Sequence, residues 1–132
     1  MREIYRFHNE TIATIRSVFQ KAALDGSDMS NWLLNTRFSE DIEQPESLVV
    51  TDLSGGMSLD SAAVGHIPSV FVLVLATGTD LVYHLQQIRL ERNQDSDVLS
   101  PTPEYLAYFN ELVMKMTVMA SKANNEQERT LN

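Results

Sequence analysis

Residues 67–76 read IPSVFVLVLA and form the most apolar stretch of the chain. Eight of these ten residues are apolar, and only Pro68 and Ser69 interrupt them. A run this apolar indicates a segment buried on every side, and its length, its valines and its flanking Pro and Gly favour a strand over a helix. After Gly78 the spacing becomes helical, at Leu81, His84, Leu85 and Ile88. We therefore predict a central strand over residues 69–77 that leads into a helix.

The segments before this run predict both helices and a strand. A first helix is predicted between an N-cap at Asn9 and a stop at Gly26, because a short polar side chain and a glycine are preferred at these two positions. A second, shorter helix follows and runs to about Phe38. Residues 48–50 (LVV) predict another strand, which ends near Leu53.

The last helix has the clearest start in the chain. Thr102 is a suitable N-cap, and Pro103 at the first helical position loses no hydrogen bond. Two polar segments, residues 39–46 and 93–100, are predicted as loops. Residues 124–132 (NNEQERTLN) are also polar, and they predict a tail outside the domain.

Together these elements predict an α+β fold. We expect a small sheet of about three strands with residues 69–77 as the central strand, and about four helices, in a single globular domain over residues 1–123. Because periodicity alone does not distinguish a buried strand from a buried helical segment, an all-α bundle stays open as the alternative. In that bundle residues 68–92 form one long helix or two broken helices.

Composition excludes several classes of protein. The chain has 43% hydrophobic and 21% charged residues, which is ordinary for a globular protein. It has no cysteine, so disulfide frameworks and thiolate metal sites are excluded. The longest apolar stretch is about half of the roughly 20 residues that a membrane span needs, and the charged start MREIYRFHNE lacks an apolar signal region. We therefore expect a cytoplasmic protein with no membrane association.

Almost all of the net charge lies in one segment. The chain carries a net charge of −8, and residues 25–60 contribute −7 of it, with eight acids and a single base, Arg37. Such a field opposes direct binding to nucleic acid, which needs clustered Lys and Arg, and it attracts a basic protein. A solvated acidic loop that keeps the protein soluble is the competing interpretation.

The charge asymmetry gives the leading functional hypothesis. We predict a small acidic protein-interaction module, of the type of inhibitors, immunity proteins and nucleic-acid mimics, in which segment 25–60 contacts a basic partner. The densest group of acids is assigned to partner binding: Glu40, Asp41, Glu43 and Glu46. No catalytic signature such as GxSxG occurs, so a role other than catalysis is favoured.

The last helix supports a second hypothesis, a dimeric chaperone-like binder. Methionine is an adaptable side chain that is used at yielding interfaces, and three of the six methionines lie at residues 114–119. Tyr108 and Met114 fall off the main apolar stripe of the predicted helix. They predict a homodimer surface.

A third hypothesis is a small enzyme or ligand-binding domain. The segment LSGG at 53–56 resembles the signature segment of ATP-binding cassette ATPases, but the chain has no Walker A loop, so a turn after a strand is the interpretation. An Asp at the carboxyl end of a strand lies where open α/β sheets place ligand groups. The predicted ligand site comprises Asp52, Ser54, Asp60 and His66.

The histidines do not predict a metal centre. His8, His66 and His84 are far apart in the sequence, and no HxxxH or HxxE spacing occurs. We predict no metal ligands, and no motif indicates a cofactor.

Overall fold

The computed structural model of the chain describes residues 2–51, 55–93 and 96–116. These residues form six strands and five helices, and they belong to two compact units. The first unit is Met1–Thr102, and its elements are β1 (Ile4–Phe7), α1 (Asn9–Asp25), α2 (Ser30–Asn35), β2 (Arg37–Glu40), β3 (Ser47–Thr51), β4 (Ser58–Leu59), α3 (Ser61–Thr77), α4 (Leu81–Gln87), β5 (Leu90–Arg92) and β6 (Val98–Pro101). The second unit begins at Pro103, and its described part is helix α5 at residues 103–116.

The six strands form one mixed sheet in the order β2-β3-β1-β5-β6-β4. Strand β1 runs parallel to β3 and antiparallel to β5, and β4 runs parallel to β6. The two ends of the sheet also meet. The amide of Phe38 in β2 donates to the carbonyl of Met57 over 2.8 Å, and the amide of Met57 donates back over 2.7 Å. Since Met57 directly precedes β4, the sheet curls into a nearly closed ring of strands.

Gly56 permits this closure. A Cβ atom on Gly56 would lie 2.8 Å from Thr51 Cγ2, 2.9 Å from Arg37 Cβ and 3.1 Å from the carbonyl oxygen of Phe38. Two of these distances are shorter than carbon atoms tolerate, and the neighbours include backbone that cannot move aside cheaply. Only a residue without a side chain allows the backbones to approach this closely.

The predicted size of the sheet is wrong. Six strands replace the expected three, and five helices replace the expected four, although the α+β class is what the structure shows. The strands that the sequence did not predict are short: β4 has two residues, β5 has three, and β2 and β6 have four each. Segments of this length contain too few alternating residues to reveal a period of two. The all-α alternative is also wrong, because the sheet organises the first unit.

Residues 69–77, predicted as the central strand, belong instead to helix α3. The buried residues of α3 recur at helical spacing, at Ala63, Val64, His66, Ile67, Val70, Phe71 and Leu73. On the other side of the helix, Val72 and Leu75 are 65% and 74% exposed. The premise of the strand prediction, that so apolar a run must be buried on every side, therefore does not hold. This segment buries one face and leaves apolar side chains on the other.

Both ends of α3 carry strong capping interactions. The side chain of Asp60 accepts a hydrogen bond of 2.8 Å from the amide of Ala63 at the N-terminus. At the C-terminus Gly78 adopts a left-handed conformation with φ 69°, and its amide donates to the carbonyl of Val74 over 2.8 Å. The apolar run of ten residues thus lies inside a capped unit of 17 residues, which is helical rather than strand-like in length.

Several predicted elements are confirmed, with shifted ends. Helix α1 ends at Gly26 as predicted, but its N-cap is His8 instead of Asn9. Strand β3 confirms the prediction for residues 48–50, α4 confirms the helix after Gly78, and the last helix starts at Pro103.

Two predictions around the hairpins are wrong. The second helix ends at Asn35, and Phe38 is a fully buried residue of β2. Residues 98–101 form β6, although most of this segment was expected to be loop. In both places a strand of four residues follows directly on polar sequence, and its short alternation is not distinct from a loop pattern.

The core of the first unit lies where helices α1, α3 and α4 pack on the sheet. The stacked rings of Phe19 and Phe71 join α1 to α3, with centroids 3.8 Å apart. Fully buried large side chains come from helices, strands and the residue after α4: Ile12, Ile15, Leu33, Phe38, Leu48, Ile67, Val70, Phe71, Leu85, Ile88, Leu90 and Leu99.

In the described parts of the chain, no helix has both the length and the apolar character that crossing a bilayer requires. The single-domain prediction for residues 1–123 and the tail at 124–132 reach beyond the described residues, so both stay predictions.

Candidate functional site

Strands β2 and β3 form an antiparallel hairpin, and its connection carries the acids assigned to partner binding. Arg37 pairs with Thr51, and Glu40 pairs with Leu48. Residues 40–46 read EDIEQPE, and we call this segment the acidic turn. All four predicted acids lie on it: Glu40, Asp41, Glu43 and Glu46. The fold therefore brings these residues together at one end of one hairpin.

Hydrogen bonds fix the backbone of the acidic turn. The amide of Asp41 donates to the carbonyl of Ser47 over 2.9 Å, and the amide of Ser47 donates to the carbonyl of Gln44 over 2.8 Å. A carboxylate oxygen of Asp41 accepts from the amide of Gln44 over 3.1 Å, as Asp side chains commonly do in turns. The carbonyl of Glu46 accepts from the amide of Arg6 over 2.9 Å, which ties the turn to β1. The segment predicted as a loop is thus an ordered one.

Glu40 is also bonded to the core. The hydroxyl of Tyr5 donates to Glu40 Oε1 over 2.6 Å and lies 3.3 Å from Glu3 Oε2. Burial of the phenol, followed by its hydrogen bond to Glu40, raises the pKa of Tyr5 well above its ordinary value. Tyr5 therefore remains a neutral donor throughout the physiological range. Glu40 serves the fold as well as the charge of the surface.

The remaining side chains of the acidic turn face solvent. Glu43 and Glu46 are exposed and make no hydrogen bond or ion pair through their side chains within the described residues. Between the acids, Ile42 is 96% exposed. Sequence reasoning missed Ile42, because the acids dominate the segment. The available signal was a lone isoleucine between two acids in a segment that is otherwise polar.

The structure describes only two of the four residues of the predicted ligand site, Asp60 and His66. Asp52 and Ser54 lie outside the described residues. Asp60 is the N-cap of α3, and its second carboxylate oxygen accepts from the hydroxyl of Ser100 over 2.6 Å. His66 lies on the buried side of α3, and burial lowers its pKa from 6.5 to about 4. Both described members thus have defined structural positions, and the site as a set stays a prediction.

The predicted dimer residues lie on α5. Tyr108 is 40% exposed and Met114 is 67% exposed. The ring of Tyr105 contacts those of Tyr108 and Phe109, with centroids 6.3 Å and 6.2 Å apart. These contacts form an aromatic cluster along one helix, and Met114 lies further along the same helix.

Among residues 2–51, 55–93 and 96–116, His, Asp and Glu side chains form no group of three that could hold a metal ion. Comparisons with protein-family models, with curated proteins and with solved structures give no match to this chain. The chain's own residues are therefore the basis for a proposal of function.

Proposed function

We propose that this protein binds a basic surface of a partner protein through the acidic turn, in the manner of inhibitors, immunity proteins and nucleic-acid mimics. One observation carries the proposal. Four carboxylates and the exposed Ile42 share a single turn whose backbone is fixed by its own hydrogen bonds. A turn that is already ordered loses little conformational freedom on binding, so more of the contact energy becomes affinity.

The residues of the acidic turn have different roles in this proposal. Glu40 and Asp41 already accept hydrogen bonds from Tyr5 and from Gln44. The side chains of Glu43 and Glu46 have no partner in the described structure and supply the charges for Lys or Arg on the partner. Ile42 supplies the apolar contact, since burial of an isoleucine side chain contributes about 1.5–3 kcal/mol. The proposed partner surface is therefore basic with an apolar depression.

Affinity capture from a cell lysate identifies the partner, and titration of the purified pair measures the affinity. We expect Glu43→Gln combined with Glu46→Gln to weaken binding about two- to thirtyfold at low salt, because each exposed ion pair contributes little. The same variant has almost no effect at high salt, where screening has already removed these attractions. Ile42→Ser weakens binding about ten- to a hundredfold at both salt concentrations.

A second charge variant serves as the matched control. Asp25→Asn combined with Glu111→Gln removes two charges from exposed positions outside the acidic turn. We expect its affinity to stay close to that of the wild type. Binding that ignores salt, or a control that weakens binding as much as the Glu43 and Glu46 variant, contradicts the proposal. All these positions are exposed, so thermal unfolding should confirm that each variant remains folded.

The exposed side chains of α5 favour a second candidate, a dimeric chaperone-like binder that associates through Tyr108 and Met114. Light scattering over a dilution series tests it. This candidate predicts a mass that rises with concentration in the wild type and not in Met114→Ser. Leu24→Ser is the control, because Leu24 is also a solvent-exposed apolar residue and lies on α1. A monomer at every concentration rules the homodimer out.

The remaining expectations stay predictions. They are a ligand site or a small enzyme's active site at Asp52, Ser54, Asp60 and His66, and a cytoplasmic location.

A further inference from the structure

A cavity of about 420 Å³ opens beside the acidic turn. It lies where β1 ends and α1 begins, between Gln44 of the acidic turn and Gln86 of α4. Its wall includes Arg6, His8 and Arg89, and none of the described residues that line it is a carboxylate. In a chain with a net charge of −8 this is a local reversal of sign. We call it the basic cavity, and its volume is in the range of small-molecule sites.

The guanidinium groups of Arg6 and Arg89 retain N–H donors that make no hydrogen bond within the described residues. Arg89 Nη1 donates to the carbonyl of Gln86 over 2.7 Å and to that of Ile88 over 3.0 Å, which holds the guanidinium in place. The other nitrogens of the Arg89 guanidinium group make no hydrogen bond within the described residues. The side chain of Arg6 makes neither a hydrogen bond nor an ion pair there. By contrast, Arg2 and Arg92 pair with carboxylates. Guanidinium groups without a carboxylate partner are suited to an oxyanion.

His8 adds a further donor and connects the cavity to α1. Its Nδ1 accepts from the amide of Glu10 over 3.1 Å, so the neutral ring carries its proton on Nε2. Nε2 is therefore the atom that can donate to a ligand. His8 is also the N-cap of α1, a helix of 17 residues whose N-terminal end carries a partial positive charge. The helix end, the histidine and both arginines favour the same sign of ligand.

The rest of the wall indicates what accompanies the anionic group. Gln86 Nε2 donates to Asn9 Oδ1 over 3.4 Å, and the hydroxyl of Ser47 donates to Gln44 Oε1 over 3.3 Å. These amides retain further donors and acceptors, which suit hydroxyl groups. Phe7 is the only Phe, Tyr or Trp residue in the described wall, and because its side chain is only 3% exposed it offers no face on which a base could stack. We propose that the basic cavity binds a phosphate monoester of a small hydroxylated molecule.

Glycerol phosphate is the probe, and amide NMR spectra of the isotope-labelled full chain report where it binds. We expect shifts at residues 6–9 and 86–89 and at Gln44, and a weaker response to inorganic phosphate. Arg6→Gln lowers the affinity at least about tenfold, because it removes a charge-assisted bond. Arg16→Gln, an exposed arginine of α1 outside the wall, leaves the affinity unchanged.

Three outcomes overturn the proposal or part of it. Absence of shifts at these residues with both probes removes the site. Equal affinity for inorganic phosphate and glycerol phosphate would show that the cavity does not recognise the hydroxylated part of the ligand. Tighter binding of adenosine monophosphate than of glycerol phosphate would contradict the proposed ligand class. Arg89→Lys is the second variant, since it keeps the charge and loses the planar fork. Thermal unfolding without ligand tests whether Arg6→Gln is folded, and we expect it to be, because the Arg6 side chain makes no hydrogen bond or ion pair within the described residues.

Discussion

The hydroxyl group of Tyr5 in β1 donates a hydrogen bond of 2.6 Å to Glu40 at the end of β2, although β3 lies between these two strands. This bond crosses a whole strand to fasten the acidic turn to the core. It also means that the charge of the turn is not all available to a partner, because Glu40 is already bonded. Charge variants that include Glu40 would change the fold and the surface together. Glu43 and Glu46 separate the two effects.

We expect Tyr5→Phe to lower the free energy of unfolding by about 1.5–3 kcal/mol, the usual range for a hydrogen bond to a charged group. Chemical denaturation followed by the fluorescence of Trp32, the single tryptophan, measures the change. Glu40→Gln is the matched variant, because its amide oxygen can still accept from Tyr5 while the charge is lost. It should destabilise less than Tyr5→Phe. Equal stability of Tyr5→Phe and the wild type would show that the bond contributes nothing.

The buried imidazole of His66 predicts a dependence of stability on pH. Burial lowers its pKa to about 4 in the folded protein, from 6.5 in an exposed histidine. The unfolded chain therefore binds the proton first as pH falls, so the stabilisation is complete above 6.5 and is lost as pH decreases towards 4. Between about pH 7 and about pH 5 this linkage removes about 2 kcal/mol.

His66→Gln cannot take up this proton, so we expect its stability to fall about 2 kcal/mol less than that of the wild type over the same interval. Carboxylates titrate in both proteins, and the difference between the two unfolding curves isolates the histidine. NMR titration of the His66 ring gives the folded-state pKa directly. Parallel stability profiles for wild type and variant would contradict the prediction.

The sequence was sufficient to predict the elements whose ends are marked by capping residues. Gly26 marked the end of α1 and Pro103 the start of α5, and Asn9 lay one residue from the N-cap His8, because caps act within one turn of the chain. It was insufficient for α3, because Gly78 was interpreted as flanking a strand and the N-cap Asp60 lies seven residues before the apolar run at 67–76. Val72 and Leu75 then appeared as core residues, since a sequence does not show which side of a helix has no neighbour.

The candidate sites show the same division. The acids of the acidic turn are adjacent in sequence, so their clustering was visible. The bond from Tyr5 to Glu40 and the basic cavity were not, because Arg6 and Arg89 are brought together only by the pairing of distant strands. A local sequence pattern does not reveal contacts between residues that are so far apart in the sequence.

Two glycines of the α3 segment should respond oppositely to alanine. Gly65 lies inside the helix with open space where a Cβ would be, so Gly65→Ala should raise the free energy of unfolding by about 0.5–1 kcal/mol. Gly78 has φ 69°, and Gly78→Ala should lower it by about 1–2 kcal/mol. Gly78→Asn is the control, because asparagine tolerates this conformation better. Thermal unfolding measures all three, and a stabilising Gly78→Ala would contradict the assigned cap.

Closure of the sheet predicts that Gly56 is far less tolerant than its neighbour. A methyl group at Gly56 would meet Thr51, Arg37 and the carbonyl oxygen of Phe38 within 3.1 Å, whereas nothing lies within 4 Å of the same position on Gly55. Gly56→Ala must therefore push at least one of these neighbours away, and we expect it to weaken the bonded pair Phe38 and Met57 with a loss of about 1–3 kcal/mol, typical of overpacking. Gly55→Ala should stay within about 0.5 kcal/mol of the wild type. Hydrogen exchange at the amides of Phe38 and Met57 reports the closure itself. Faster exchange in Gly56→Ala but not in Gly55→Ala supports a sheet closed by the close backbone contact at Gly56. Unchanged exchange in Gly56→Ala contradicts it.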